Sequence, residues 1–123
     1  MSSLRTAGEL CSRDVVTASR STALNEAARL LRERHVGCLV VVDETAEGRI
    51  VVGLLTDRDV VTAVVAKDVS PQLLRVADVM TGEVTTIHES ASVHDALTLM
   101  RHRRVRRMPT GSSCGVFSFY LRN

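Results

Sequence analysis

Slid against itself by 69 positions, the chain lays residues 12–40 over residues 81–109 without a gap. Identical pairs are Val15/Val84, Thr17/Thr86, Ser21/Ser90, Ala27/Ala96, Leu30/Leu99, Arg32/Arg101, Arg34/Arg103 and Val36/Val105. Apolar character also coincides at Leu24/Val93, Leu31/Met100 and Leu39/Met108. The matches fall on positions that face a core, so the repeat is one of structure and not of composition. With 123 residues, the chain has room for one compact domain or for two half-size copies of one arrangement.

In the first copy, Val15–Thr17 has strand composition, and a polar turn leads from it into a helix over about Leu24–Arg34. Leu24, Ala27, Ala28, Leu30 and Leu31 form one apolar stripe there, opposite a face rich in Arg and Glu. Val36–Val42 is a continuous apolar run, the mark of a strand covered on both faces. Asp43–Arg49, with Gly48, is expected as a polar turn and Ile50–Leu55 as the returning strand. A second helix starts at Thr56. The second copy opens alike, with a strand at Val84–Thr86 and a helix over about Val93–Arg103, introduced by Ser92 with Asp95 three residues on. The expected fold class is α+β, with strand, helix, strand, strand, helix in each complete copy.

Residues 1–66 hold the first copy with its lead-in Thr6–Ser12. Residues 76–123 hold the second, led in by Arg75–Thr81, and 67–75, polar and containing Pro71, are expected as a linker. The second copy is incomplete. Thirteen positions separate Val40 from Gly53, whereas Gly115-Val116-Phe117-Ser118, which resembles Gly53-Leu54-Leu55-Thr56, begins only six after Pro109. The hairpin is thus about seven residues short, Leu121 stands where Asp59 would recur, and no final helix follows before Asn123. Either a deletion has shortened the copy after about residue 109, or the tail is unrelated sequence from truncation or a shifted frame.

The stretch Val51–Val61 carries the clearest chemistry. An apolar strand ends at Thr56, and Val60, Val61, Ala63, Val64 and Val65 continue as one face of a helix. Thr56 with Asp59 three residues on has the spacing of a capping box. A helix start turns free N–H groups and partial positive charge outward, which suits phosphate, and Arg58 adds a fixed cation. Asp59 offers acceptors for a pair of ribose hydroxyls. A cap with no ligand, worth about 1 kcal/mol, explains the same spacing, and both interpretations stand.

Other functions find less support. No run approaches the roughly 18 apolar residues of a membrane span, and Met1–Glu9 lacks the apolar segment of a secretory signal. Cys11, Cys38 and Cys114 are odd in number and far apart, as expected of reduced thiols in a cytoplasmic protein. His35, His88, His94 and His102 show no metal-ligand spacing. No nucleophile lies beside a base, and Asp57 and Asp59 point in different directions at a helix start, so neither catalysis nor a required cofactor is expected. A net charge of +2 gives no bulk attraction to nucleic acid, and two Phe and one Tyr offer little base stacking.

Taken together, Ala77-Asp78-Val79-Met80-Thr81, Val15-Val16-Thr17, Val84-Thr85-Thr86, Val36-Gly37-Cys38-Leu39, Val105-Arg106-Arg107-Met108-Pro109 and Gly53–Asp59 resemble a tandem pair of CBS domains, a Bateman module. The resemblance implies two βαββα repeats about a pseudo-twofold axis, the second incomplete, and association into homodimers. It implies a module that binds an adenosine compound (AMP, ADP, ATP, S-adenosylmethionine or NAD) and regulates an attached or partner protein. Carried onto this chain, it puts Thr56 and Asp59 at the phosphate and ribose, with Arg58 beside them. Thr17 would line the base pocket, and the backbone of Gly37 and Cys38 would face the adenine edge. Val16, Val36 and Met80 would hold the base by apolar contact. Ser118 can stand for Thr56 in the second repeat, but Leu121 cannot replace Asp59, so one competent site is expected.

The run Arg101–Arg107 admits three interpretations: a solvated helix end, a contact from Arg106 or Arg107 to ligand phosphates, or a nucleic-acid patch. A CBS-like dimerisation scaffold without ligand is the alternative function.

Overall fold

The computed structural model describes residues 5–11, 15–105, 107–110 and, as backbone only, 116–118. Leu39, Val40, Val41 and Val42 are all buried, as a run apolar on both faces requires, and they form the centre of β2 (Cys38–Thr45). β1 (Thr17–Ala18) lies parallel to it with Thr17 opposite Val40, and β3 (Gly48–Thr56) lies antiparallel with Cys38 opposite Thr56. The sheet order is β1-β2-β3. Between Val41 and Val42 the register shifts, so that Gly53 and Val51 oppose consecutive residues.

The hairpin corrects the expected turn. Asp43–Arg49 is not a loop: the strands run to Thr45 and resume at Gly48. Its polarity reports exposure rather than the end of pairing, because Glu44 and Arg49 face each other at 2.9 Å across an exposed ladder. Gly48, at φ 120, makes the tight reversal possible, and the Thr45 hydroxyl donates to its carbonyl at 2.6 Å. The strand expected over Val15–Thr17 forms instead at Thr17–Ala18. That over Val84–Thr86 is absent; only a parallel bridge of Ile87 with Thr110 forms there.

The expected helices are present. α2 (Leu24–Arg34) buries Leu24, Ala27 and Leu31, and α5 (Val93–Arg103) buries Ala96 and Met100 behind an N-cap in which Ser92 Oγ accepts the Asp95 N–H at 3.0 Å. The helix opened by Thr56 begins as α3 (Asp57–Val60) and widens over Val61–Val65, where Ala66 N–H reaches back five residues to the Val61 carbonyl. Thr62 contributes, its hydroxyl donating to the Arg58 and Asp59 carbonyls at 3.0 and 3.1 Å.

Two compact units result, residues 16–84 and residues 1–15 with 85–123. The first is centred on Leu24, Ala27, Leu31, Leu39, Val41, Leu55 and Val76. The second is centred on Ala7, Cys11, Ile87, Ala96, Met100 and Met108. The units do not coincide with the sequence repeats, because each lead-in docks on the other copy. In the second unit, α1 (Ala7–Leu10) is held by Ala7 N–H to the Ala91 carbonyl at 2.7 Å and Gly8 N–H to Glu89 at 2.9 Å. In the first, α4 (Val76–Val79) is held by Val76 N–H to Thr22 at 2.9 Å and Ala77 N–H to Arg20 at 3.0 Å. Every partner is shifted by the same 69 positions, so the duplication extends through the lead-ins. The segment expected as a linker belongs to this docking: Leu74 accepts the Leu24 N–H at 2.9 Å, and a single 3-10 turn spans Pro71–Leu73.

In the second unit β4 (Arg107–Pro109) pairs with β5 (Val116–Ser118), with Arg107 opposite Ser118, Met108 opposite Phe117 and Pro109 opposite Val116. The first unit pairs Cys38, Leu39 and Val40 with Thr56, Leu55 and Leu54. The shortened hairpin therefore keeps the register of the longer one, and Ser118 occupies the place of Thr56. Leu121, Arg106 and Cys114 lie outside the described residues.

Candidate functional site

β1 and β2 begin, and β3 ends, at the same edge of the three-stranded sheet. Thr17, Cys38 and Thr56 are brought together there by pairing alone, since Cys38 opposes Thr56 and Thr17 opposes Val40, two residues along β2. The Gly37 carbonyl accepts the Asp57 N–H at 3.2 Å, tying the start of β2 to the start of α3. On the far side of β3, Leu54 and Thr81 exchange backbone hydrogen bonds of 3.1 and 2.9 Å. This lays Met80 across Gly53, where a Cβ would stand 2.7 Å from Met80 Sδ. A glycine is required here by the close approach of another chain segment.

At the helix start the capping box is complete. Thr56 Oγ1 accepts the Asp59 N–H at 3.1 Å, and Asp59 Oδ2 accepts the Thr56 N–H at 2.9 Å. One carboxylate oxygen of Asp59 is thus committed to the fold and the other accepts from no described residue. Arg58 is exposed and its guanidinium has no described partner. Replacing Thr56 with alanine should cost about 1 kcal/mol of stability, and replacing it with serine only a few tenths, measured by urea unfolding.

Asp59 also borders a cleft of about 240 Å3 lined by Thr62, Ala63, Lys67, Asp78 and Val79. Thr62 and Ala63 follow Asp59 by three and four residues and so share its helix face. Asp78 stands three residues after Arg75, whose N–H it accepts at 2.8 Å, the spacing of Asp59 from Thr56. Spacing could have singled out Thr62 and Asp78. Nothing in the local sequence marks Lys67, which falls in the segment expected as a linker.

Val36 lines a different groove, of about 310 Å3, with Ala28, Leu31, Arg32, Asp57, Val60 and Val61. Its place between α2 and α3 follows from the chain turning out of α2 at His35, whose φ is 54. Arg107 belongs to the second unit, half-buried on β4 at the position matching Cys38. No group of three or more His, Cys, Asp or Glu among the described residues is arranged to hold a metal ion, and no helix among them is long and apolar enough to cross a membrane.

A CBS-domain family model matches residues 7–66 and 76–109. An uncharacterized protein of Methanopyrus kandleri is 35% identical over 102 residues, 83% of this chain and 50% of that protein. The chain spans about half the length of such curated relatives. The crystal structure of an uncharacterized conserved protein from Pyrococcus horikoshii superposes with a TM-score of 0.79 at 23% identity, covering 100% of this chain and 99% of that one. The cytosolic domain of the Mg2+ channel MgtE, solved in complex with ATP, gives a TM-score of 0.75 at 22% identity, covering 93% of this chain and 46% of that one.

Proposed function

The chain belongs to the CBS-domain family, and from that premise we propose that it is a cytoplasmic, non-enzymatic regulatory module that binds an adenosine-containing ligand beside the Thr56 helix and signals to a partner protein. The observation that carries this is the position of Asp59, which shares a cleft with Asp78 and Lys67 while one of its carboxylate oxygens accepts from no described residue. That oxygen is suited to ribose hydroxyls. Thr56 and Arg58 are assigned to phosphate, and Thr17, Gly37, Cys38 and Met80 to the base. Val36 is left out of the set. ATP on the MgtE domain is consistent with the ligand class. Val61 and Val65, 53% and 73% exposed on the helix after Thr56, suit association into a homodimer.

The test is calorimetric titration with AMP, ATP, S-adenosylmethionine and NAD, paired with thermal unfolding. A ligand at one hundred times its Kd should stabilise the fold by about 2.7 kcal/mol. Asp59→Asn keeps an oxygen for the Thr56 N–H but loses the charge. Affinity should fall roughly tenfold or more while stability changes by less than about 1 kcal/mol. Equal affinity in that variant would remove Asp59 from the site. The complete capping box favours a second interpretation, a dimerising scaffold, because Thr56 and Asp59 satisfy each other without a ligand. No stabilisation by any of the four compounds would select it.

A further inference from the structure

The last turn of α5 carries Arg101, His102 and Arg103, and Arg104 follows as its cap. All four side chains are exposed, and none makes an ion pair or side-chain hydrogen bond with a described residue. The matching end of α2 is different. There Glu33 separates Arg32 from Arg34, Arg29 lies 3.6 Å from Glu26, and His35 is the cap. Cations offset the partial negative charge at a helix C-terminus, which accounts for the two arginines both helices share. It does not account for His102 in place of Glu33 or Arg104 in place of His35. The imbalance extends over the unit: residues 1–15 with 85–123 carry eight Lys and Arg against four Asp and Glu, whereas residues 16–84 carry eight against ten.

We infer that Arg101, Arg103 and Arg104 form a docking surface for an acidic segment of a partner protein. Guanidinium groups present forked donors that match carboxylates two bonds at a time. The three lie within one helical turn of about 5.4 Å and its cap, Arg101 and Arg104 three apart on one side and Arg103 further round the helix. That suits a short acidic stretch better than a long polyanion, for which a chain-wide charge of +2 provides little attraction. Residues 101–110 contain no Phe, Tyr or Trp on which a base could stack. None of the three arginines is assigned to the nucleotide site, so this surface does not depend on that proposal.

The experiment is fluorescence anisotropy on the full chain with three probes: a labelled peptide of about 12 alternating Glu and Asp, its Gln and Asn counterpart, and a DNA duplex of about 20 base pairs, each at about 50 and 200 mM NaCl. The acidic peptide should bind, more weakly at the higher salt, and the neutral peptide should not. R101E/R103E/R104E should weaken the acidic peptide at least tenfold, whereas R29E/R34E/R49E, an equal charge change in the other unit, should leave it within about twofold. R101Q/R103Q/R104Q serves if the charge reversal impairs folding, judged by circular dichroism, and should still weaken binding several-fold. No binding of the acidic peptide, or binding unaffected in both α5 variants, overturns the inference. A duplex that binds more tightly than the peptide through the same arginines also overturns it, in favour of a nucleic-acid surface.

Discussion

Gly53→Ala should lower stability by about 2 kcal/mol, and Gly53→Val by about 3. The added Cβ would meet Met80 Sδ at 2.7 Å and the Thr81 carbonyl oxygen at 2.9 Å. The methionine can turn aside, being flexible. The carbonyl cannot retreat without breaking the Leu54 N–H bond of 3.1 Å that holds the segment on β3. At roughly 4 °C per kcal/mol, Gly53→Ala should melt about 8 °C below the parent. Gly82→Ala is the control, since a Cβ there meets nothing within 4 Å. If the two variants melt together, residues 80–81 do not lie against β3, and Met80 leaves the proposed site with them.

Leu55→Ala should cost about 3 kcal/mol, within the usual 2–5 for a leucine with no exposed surface. Leu55 is 0% exposed and belongs to the cluster with Leu24, Leu39, Val41 and Val76, so truncation leaves a cavity among residues from three other elements. Total stabilities of about 5–15 kcal/mol make such a loss a large fraction of the whole. Ile50→Ala on the same strand, at 51% exposure, should change stability by less than about 0.5 kcal/mol. Equal losses in chemical denaturation would mean that the burial along β3 is not as described.

Helix positions were the most legible part of the sequence. The stripe Leu24, Ala27, Leu31 has helical spacing and those three residues are the buried ones, so the bounds Leu24–Arg34 follow from local pattern. Ser92 with Asp95, and Thr56 with Asp59, were legible for a different reason, because a cap is satisfied within one turn. Strand ends were not. Polar residues 43–49 signal solvent, and a two-stranded ribbon exposed to solvent is as polar as a loop. The widened turn at Val61–Val65 was likewise hidden, since its five-residue hydrogen bonds leave the apolar pattern of a helix intact.

At the site, the edge that joins Thr17, Cys38 and Thr56 follows from strand pairing, and the order of strands in the repeat anticipates it. Lys67 and Asp78 beside Asp59, and Val36 in a second groove, required the folded chain. A side chain's neighbours across a cleft come from segments whose path is set by long-range packing. Val36 is apolar, adjacent to Gly37 and partly buried, yet the turn at His35 directs it to the groove between α2 and α3.

The amino-acid sequence by itself determined the duplication, its offset of 69, the two long helices, the doubly covered strand and the self-satisfied cap at Thr56. Each is written in spacings shorter than one element or in identity between copies. Only the tertiary structure decided that the lead-in at Ala7 docks beside Ala91 and that at Val76 beside Thr22, crossing the boundary between copies. It alone decided that Gly53 lies beneath Met80. Equivalent copies offer equivalent docking surfaces, and periodicity states that a face is buried without stating against which segment, so the choice belongs to the closed chain.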